Sequence, residues 1–152
     1  MLNPCSILVS KVRSPRDTQS DSVPGRGRTL VEVYPHPALL VLLGEDYRVK
    51  YKAGKARKFW PELTAGECRV EVVAVWGRIL DALRQVIEGI DLPIPVALEA
   101  MAMTTAALKR YEDALDALIC GWIGIEYLEG RCTAFGDPSA AIWTPQTPWS
   151  ES

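Results

Sequence analysis

Two aspartates three residues apart, Asp113 and Asp116, lie in the run KRYEDALDALICGWIGIEYL, where Asp116 is the only charged residue between Ala114 and Ile125. A helix that is apolar nearly all round belongs in a core, and an ionised carboxylate there is costly unless something compensates it. At about 100° per residue the two side chains project about 60° apart, close enough to share a cation or a donor. Hard divalent ions such as Mg2+ or Mn2+ take oxygen ligands, so the pair is a candidate metal site.

A third carboxylate, Glu32, sits in TLVEVY between Val31 and Val33, on the strand face shared by Leu30 and Tyr34. Alone, a strand glutamate reads as solvent-facing on an edge. Beside a helix that also buries acids it becomes a candidate ligand. One carboxylate from a strand and two from a helix could hold one or two ions, and two ions about 4 Å apart activate a water and stabilise the leaving oxygen in phosphodiester hydrolysis. The plain alternative is that Lys109 and Arg110 neutralise Asp113 from the preceding turn while Asp116 pairs locally.

Such chemistry needs cationic contacts to phosphates. The stretch RVKYKAGKARK, Arg48 to Lys58, has six basic residues and no acidic one, with Tyr51 inside it and Phe59 and Trp60 directly after. Lys50, Lys52, Lys55, Arg57 and Lys58 are its candidate nucleic-acid contacts, against the alternative of a merely solvated loop. His36, the only histidine, stands between Pro35 and Pro37, where a surface role is the default. One histidine and dispersed cysteines disfavour zinc, and Ala53-Gly54-Lys55 lacks P-loop spacing.

These residues need elements to position them. Thr29 to Tyr34 reads as a strand ended by prolines, and Pro37 suits the first position of a short helix closed by Gly44. Thr64 and Glu67 form a T-x-x-E capping box opening a long helix to about Glu88, with Val72, Trp76, Ile79, Leu80, Leu83 and Ile87 on one stripe. Gly89 to Thr105, with Pro93 and Pro95, reads as a connection. The aspartate helix follows, stopping at Gly130, and short extended pieces at 131–135 and 141–143 flank the turn Gly136-Asp137-Pro138.

The first 28 residues are rich in Ser, Pro, Arg, Asp and Gly; only Ile7 to Val9 resembles a strand, and the segment reads as flexible. A folded unit at 29–148 follows, within a chain of 152 residues that is 48% hydrophobic, enough for one domain with a core. The net charge of −2 argues against a generally basic nucleic-acid coat protein but leaves room for a local basic groove. Four scattered cysteines without a C-x-x-C pair, no leader pattern and no membrane-length apolar run predict a soluble cytoplasmic protein with reduced thiols.

The segments LVEVYPHPALLVLLG, YKAGKARKFWPEL, LKRYEDALDALICGWIGIEYLEGR and TAFGDPSAAIWTP resemble the later portion of a bacterial and archaeal domain family known as predicted RNase H-like nucleases. The resemblance implies an α/β fold of the RNase H-like type, a mixed sheet flanked by helices. It matches Glu32 to the acid on the fourth strand, and Asp113 with Asp116 to the D-x-x-D of the last core helix, with Mg2+ or Mn2+ as cofactor and nucleic acid as substrate.

That fold also implies a first strand carrying an aspartate, and neither Asp17 nor Asp21 follows a hydrophobic strand. The expectation is an N-terminally truncated sheet, an exposed edge on the Glu32 strand inviting a homodimer, and weak nuclease activity. The competing expectation is a non-catalytic interaction or structural module whose acids pair with Lys109, Arg110 or the basic stretch.

Overall fold

The computed structural model describes residues 5–10, 28–137 and 140–146. Four strands, β1 (Cys5–Ser10), β2 (Arg28–Val33), β3 (Cys132–Asp137) and β4 (Ala140–Pro145), form one mixed sheet in the order β1-β2-β4-β3. β1 runs antiparallel to β2, β2 parallel to β4, and β4 antiparallel to β3. The protein is therefore α/β, as expected.

The strand signal at Ile7 to Val9 extends to all of β1, so part of the segment expected to be flexible pairs with the sheet, Leu8 opposite Leu30. Residues 11–27, including Asp17 and Asp21, lie outside the described residues. The expected free edge on the Glu32 strand is corrected: β2 has a neighbour on each side, and the sheet ends at β1 and β3.

Strand parity then decides which residues of β2 enter the core. Val31 and Val33 are buried while Leu30 and Glu32 are exposed, as the period of two requires. Val33 pairs with Trp143, whose ring packs edge-on against Tyr127 with centroids 4.6 Å apart. Helices cover that side of the sheet. On the other side Glu32 lines up with Ile142, and Ile142 with the exposed Phe135.

Helix α1 (Pro35–Leu43) begins two residues earlier than Pro37. Tyr34 is the extended N-cap, and prolines in the first turn cost nothing because the N–H groups there have no intrahelical partner. Gly44 ends the helix at φ 63°, its N–H bonding to Leu40 O. A 3-10 turn (Ala53–Lys55) and α2 (Ala56–Phe59) then give the basic stretch a fixed course.

Helix α3 (Ala65–Val86) opens with the expected box: Thr64 Oγ1 accepts from Glu67 N, and Glu67 Oε2 accepts from Thr64 N. Val72, Trp76, Ile79, Leu80 and Leu83 of the predicted stripe are all buried. The connection after Gly89 holds a helix that the prolines concealed, α4 (Ala97–Ala102). Arg69 of α3 donates to Ala100 O at 3.2 Å and Met101 O at 2.6 Å. Gly66 allows the approach, since a β-carbon there would fall 2.9 Å from the Met101 side chain.

Helix α5 (Thr105–Leu128) crosses between the sheet and α3, and Leu108, Leu115, Ile119 and Ile123 are fully buried along it. The acids of α5 and the cations of the basic stretch meet where the two pack against each other.

Candidate metal centre and basic segment

Helix periodicity places Glu112 and Asp116 one above the other, four residues apart, on the flank of α5 facing the segment from Tyr51 to Ala53. That segment is extended, and alternation buries Val49, Tyr51 and Ala53 while Arg48 and Lys50 stay exposed. The buried residues anchor it. Trp76 Nε1 donates to Tyr51 O at 2.7 Å, tying the segment to α3 as well.

Glu112 is only 2% exposed, and its charge is fully engaged. Its Oε2 accepts from Ala53 N at 2.8 Å, while its Oε1 lies 3.2 Å from both Lys52 Nζ and Lys109 Nζ. Asp116 accepts from the Tyr51 hydroxyl at 3.0 Å and from Lys52 Nζ at 2.5 Å. Asp113, further out, pairs with Lys109 across one turn. Burial works against the charge of Lys109, but its bonds to Asp113 and Glu112 outweigh that and raise its pKa.

Tyr51 is held as a neutral donor. Burial, then the neighbouring charges of Asp116 and Glu112, push its phenol well above the usual value near 10. Lys52 also lies over the Tyr51 ring, 4.5 Å from its centroid. One ammonium thus touches two carboxylates and an aromatic face.

Glu112, Asp113 and Asp116 each offer a carboxylate oxygen, all within 4.8 Å of one another, so this acidic cluster could hold a metal ion. The donor chemistry fits a hard divalent ion such as Mg2+ or Mn2+. Lys52 and Lys109 stand where such an ion would sit. An incoming ion has to displace at least Lys52, an exchange favoured by its double charge and opposed by the loss of two close ion pairs.

The structure brings Asp113 and Asp116 together but not Glu32, which is exposed and is not part of the cluster. The third carboxylate is Glu112. Its signal is present in the sequence, as an acid four residues before Asp116 on the same helical stripe, but its adjacency to Asp113 and Lys109 makes it look like part of a solvated charge run.

The basic residues divide. Lys52 is committed to the acids, Lys50 lies 5.5 Å from the Trp60 ring centroid, and Arg57 donates to Leu63 O at 3.1 Å. Lys55 is half-buried and Lys58 exposed, and neither has a carboxylate in ion-pair range among the described residues. His36 falls in the first turn of α1. Burial, followed by the charges of Arg48, Lys52 and Lys55, holds its pKa below the ordinary value near 6.5. Thiol chemistry is suppressed at Cys132, pushed up to about 12 chiefly by burial.

Among the described residues no helix is long and apolar enough to cross a membrane. No curated protein and no solved structure matches this chain. The model of the family described as "Protein of unknown function (DUF429)" matches residues 3–141. That match runs from just before β1 into the start of β4 and takes in both the basic stretch and the acid cluster; the chain belongs to the DUF429 family, whose function is unknown.

Proposed function

We propose that this chain is a metal-dependent nuclease domain of the RNase H-like type, weakly active in this form. The observation that carries the reading is the convergence of Glu112, Asp113 and Asp116 within 4.8 Å of one another beside a segment with unneutralised lysines. A divalent ion held by these carboxylates would polarise a water and the scissile phosphate. Glu112, Asp113 and Asp116 would hold the ion, and Lys50, Lys55 and Lys58 would orient the phosphates. Lys52, once displaced from the acids by the ion, would join them. Weak activity would follow because, among the described residues, all three ligands lie on one helix and no carboxylate of the sheet joins the cluster to fix a second ion.

Incubation with single- and double-stranded DNA and RNA in Mn2+ or Mg2+ tests the reading. Cleavage that disappears in EDTA and in Asp116→Asn supports it. Absence of cleavage of all four substrates, with no heat of Mn2+ binding, defeats it.

A second reading has its own observation. Every carboxylate of the cluster already has a partner within the protein, and Lys52 and Ala53 tie the basic stretch to α5. A non-catalytic module would use the cluster as that tie alone. Asp116→Asn would then lower thermal stability equally with and without Mn2+, whereas a metal site makes the difference larger when Mn2+ is present.

A further inference from the structure

The protein carries a net charge of −2, yet between Arg48 and Lys58 it gathers six cations and no acid. Lys52 is the one of these with an ion pair among the described residues. Arg48, Lys50, Lys55 and Lys58 have no carboxylate within ion-pair range among the described residues. They are not splayed at random. Alternation along the anchored segment turns Arg48 and Lys50 to the same outer side, and Arg48, Lys52 and Lys55 lie close enough to the first turn of α1 for their charges to reach His36. Asp46 and Glu62 bound the patch in sequence at its two ends.

Aromatic residues frame the same stretch. Tyr47, immediately before Arg48, is 84% exposed, which leaves its ring without a packing role. Trp60 follows α2 and is half-buried, with Phe59 edge-on at 5.8 Å and Lys50 over its face. An extended chain spans about 3.3 to 3.6 Å per residue, so Tyr47 lies within roughly 10 Å of Lys50. That is the reach of one or two nucleotide steps.

We infer that the Tyr47–Trp60 surface binds single-stranded nucleic acid, with Arg48, Lys50, Lys55 and Lys58 on the phosphates and Tyr47 stacking on an unpaired base. It rests on the reading that the chain acts on nucleic acid, and adds that the substrate is a single strand. Cations alone would serve a duplex equally well. An exposed ring beside them gains contact only from a base free of its own stack, and base stacking is tolerant of sequence. Duplex bases are already stacked and paired, and a duplex would leave Tyr47 in water.

Fluorescence anisotropy with labelled single strands of roughly 12 nucleotides, DNA and RNA, and a duplex of equal length tests this in EDTA, where no cleavage occurs. Both single strands bind tighter than the duplex, with a log–log salt slope of about −3, as four phosphate contacts at about 0.7 each require. Tyr47→Ala weakens single-strand binding at least about five-fold and Tyr47→Phe restores it. Lys58→Ala flattens the slope by about 0.7. Both positions are exposed, so the fold is retained, which circular dichroism checks.

Equal or tighter duplex binding, or an unchanged affinity in Tyr47→Ala, overturns the inference. So does tighter binding to phosphatidylserine vesicles than to either strand, which would assign the patch to a lipid surface. Failure here separates from failure of the nuclease reading. Single-strand binding in EDTA without cleavage in Mn2+ defeats the nuclease alone, and metal-dependent cleavage of duplex without single-strand preference defeats this inference alone.

Discussion

Glu32 on β2 and Glu112 on α5 are both glutamates on elements that pack against the core, and the protein treats them oppositely. Glu32 shares its strand face with Leu30, which is 67% exposed, and points away from the helices. Glu112 is buried beneath Lys52 and Lys109 and accepts a backbone N–H from Ala53. The difference lies less in the local pattern than in what distant chain supplies. A carboxylate enters a core only where donors are waiting, and beside the local Lys109 the backbone donor of Glu112, Ala53 N, arrives from 59 residues away.

The sharpest way to break this contrast is to remove the buried member. Glu112→Ala leaves the Ala53 N–H without its acceptor and takes one of two carboxylates from each of Lys52 and Lys109, and the loss of hydrogen bonds to a buried charged group costs about 1.5 to 3 kcal/mol. Urea unfolding of the variant measures it. A loss below about 1 kcal/mol would mean that water or a rearranged Lys52 replaces the carboxylate. Asp116→Asn, at a half-buried site where the amide oxygen still accepts a hydrogen bond, costs less, about 1 to 2 kcal/mol in the same assay.

The Tyr51 donor adds a pH dependence of its own. Its phenol is held above the ordinary value near 10 by burial and by Asp116, so the folded state retains the proton that the unfolded chain releases. The resulting stability is fully present below about pH 10 and is lost as pH rises beyond it. Thermal unfolding across that range should show a steeper alkaline decline for the wild type than for Tyr51→Phe. His36 acts at the other end: its lowered pKa means the unfolded chain takes up a proton first, so stability falls as pH drops below about 6.5.

The outer side of α5 sharpens the contrast from its own direction. Gly121 is exposed, and no atom lies within 4 Å of where a β-carbon would stand. Gly121→Ala therefore removes a helix-interior glycine without a clash and raises stability by about 0.5 to 1 kcal/mol, read as an increase in Tm. Glu32→Gln completes the series with the smallest change, within about 0.5 kcal/mol.

Much of this architecture is legible in the chain. The capping box at Thr64 and Glu67, the buried stripe of α3, the length of α5 and the chain reversal between β3 and β4 follow from local pattern, and local pattern is what sequence exposes. Two features are hidden for physical reasons. Helix α4 is short and follows Pro93 and Pro95, and it is secured by Arg69 from another helix. Glu112 sits in a dense charge run, where burial depends on partners that no periodicity reveals. Asp116 is legible because its neighbours are apolar, and Glu32 misleads because strand parity gives two faces without saying which one the helices cover.

Manganese titration by calorimetry of four proteins, the wild type, Glu112→Gln, Asp116→Asn and Glu32→Gln, tests the metal centre most directly. The prediction is that wild type and Glu32→Gln bind Mn2+ alike, while Glu112→Gln and Asp116→Asn lose the heat of binding. Absence of binding in the wild type, or loss in Glu32→Gln with retention in the α5 variants, would contradict a metal centre on α5.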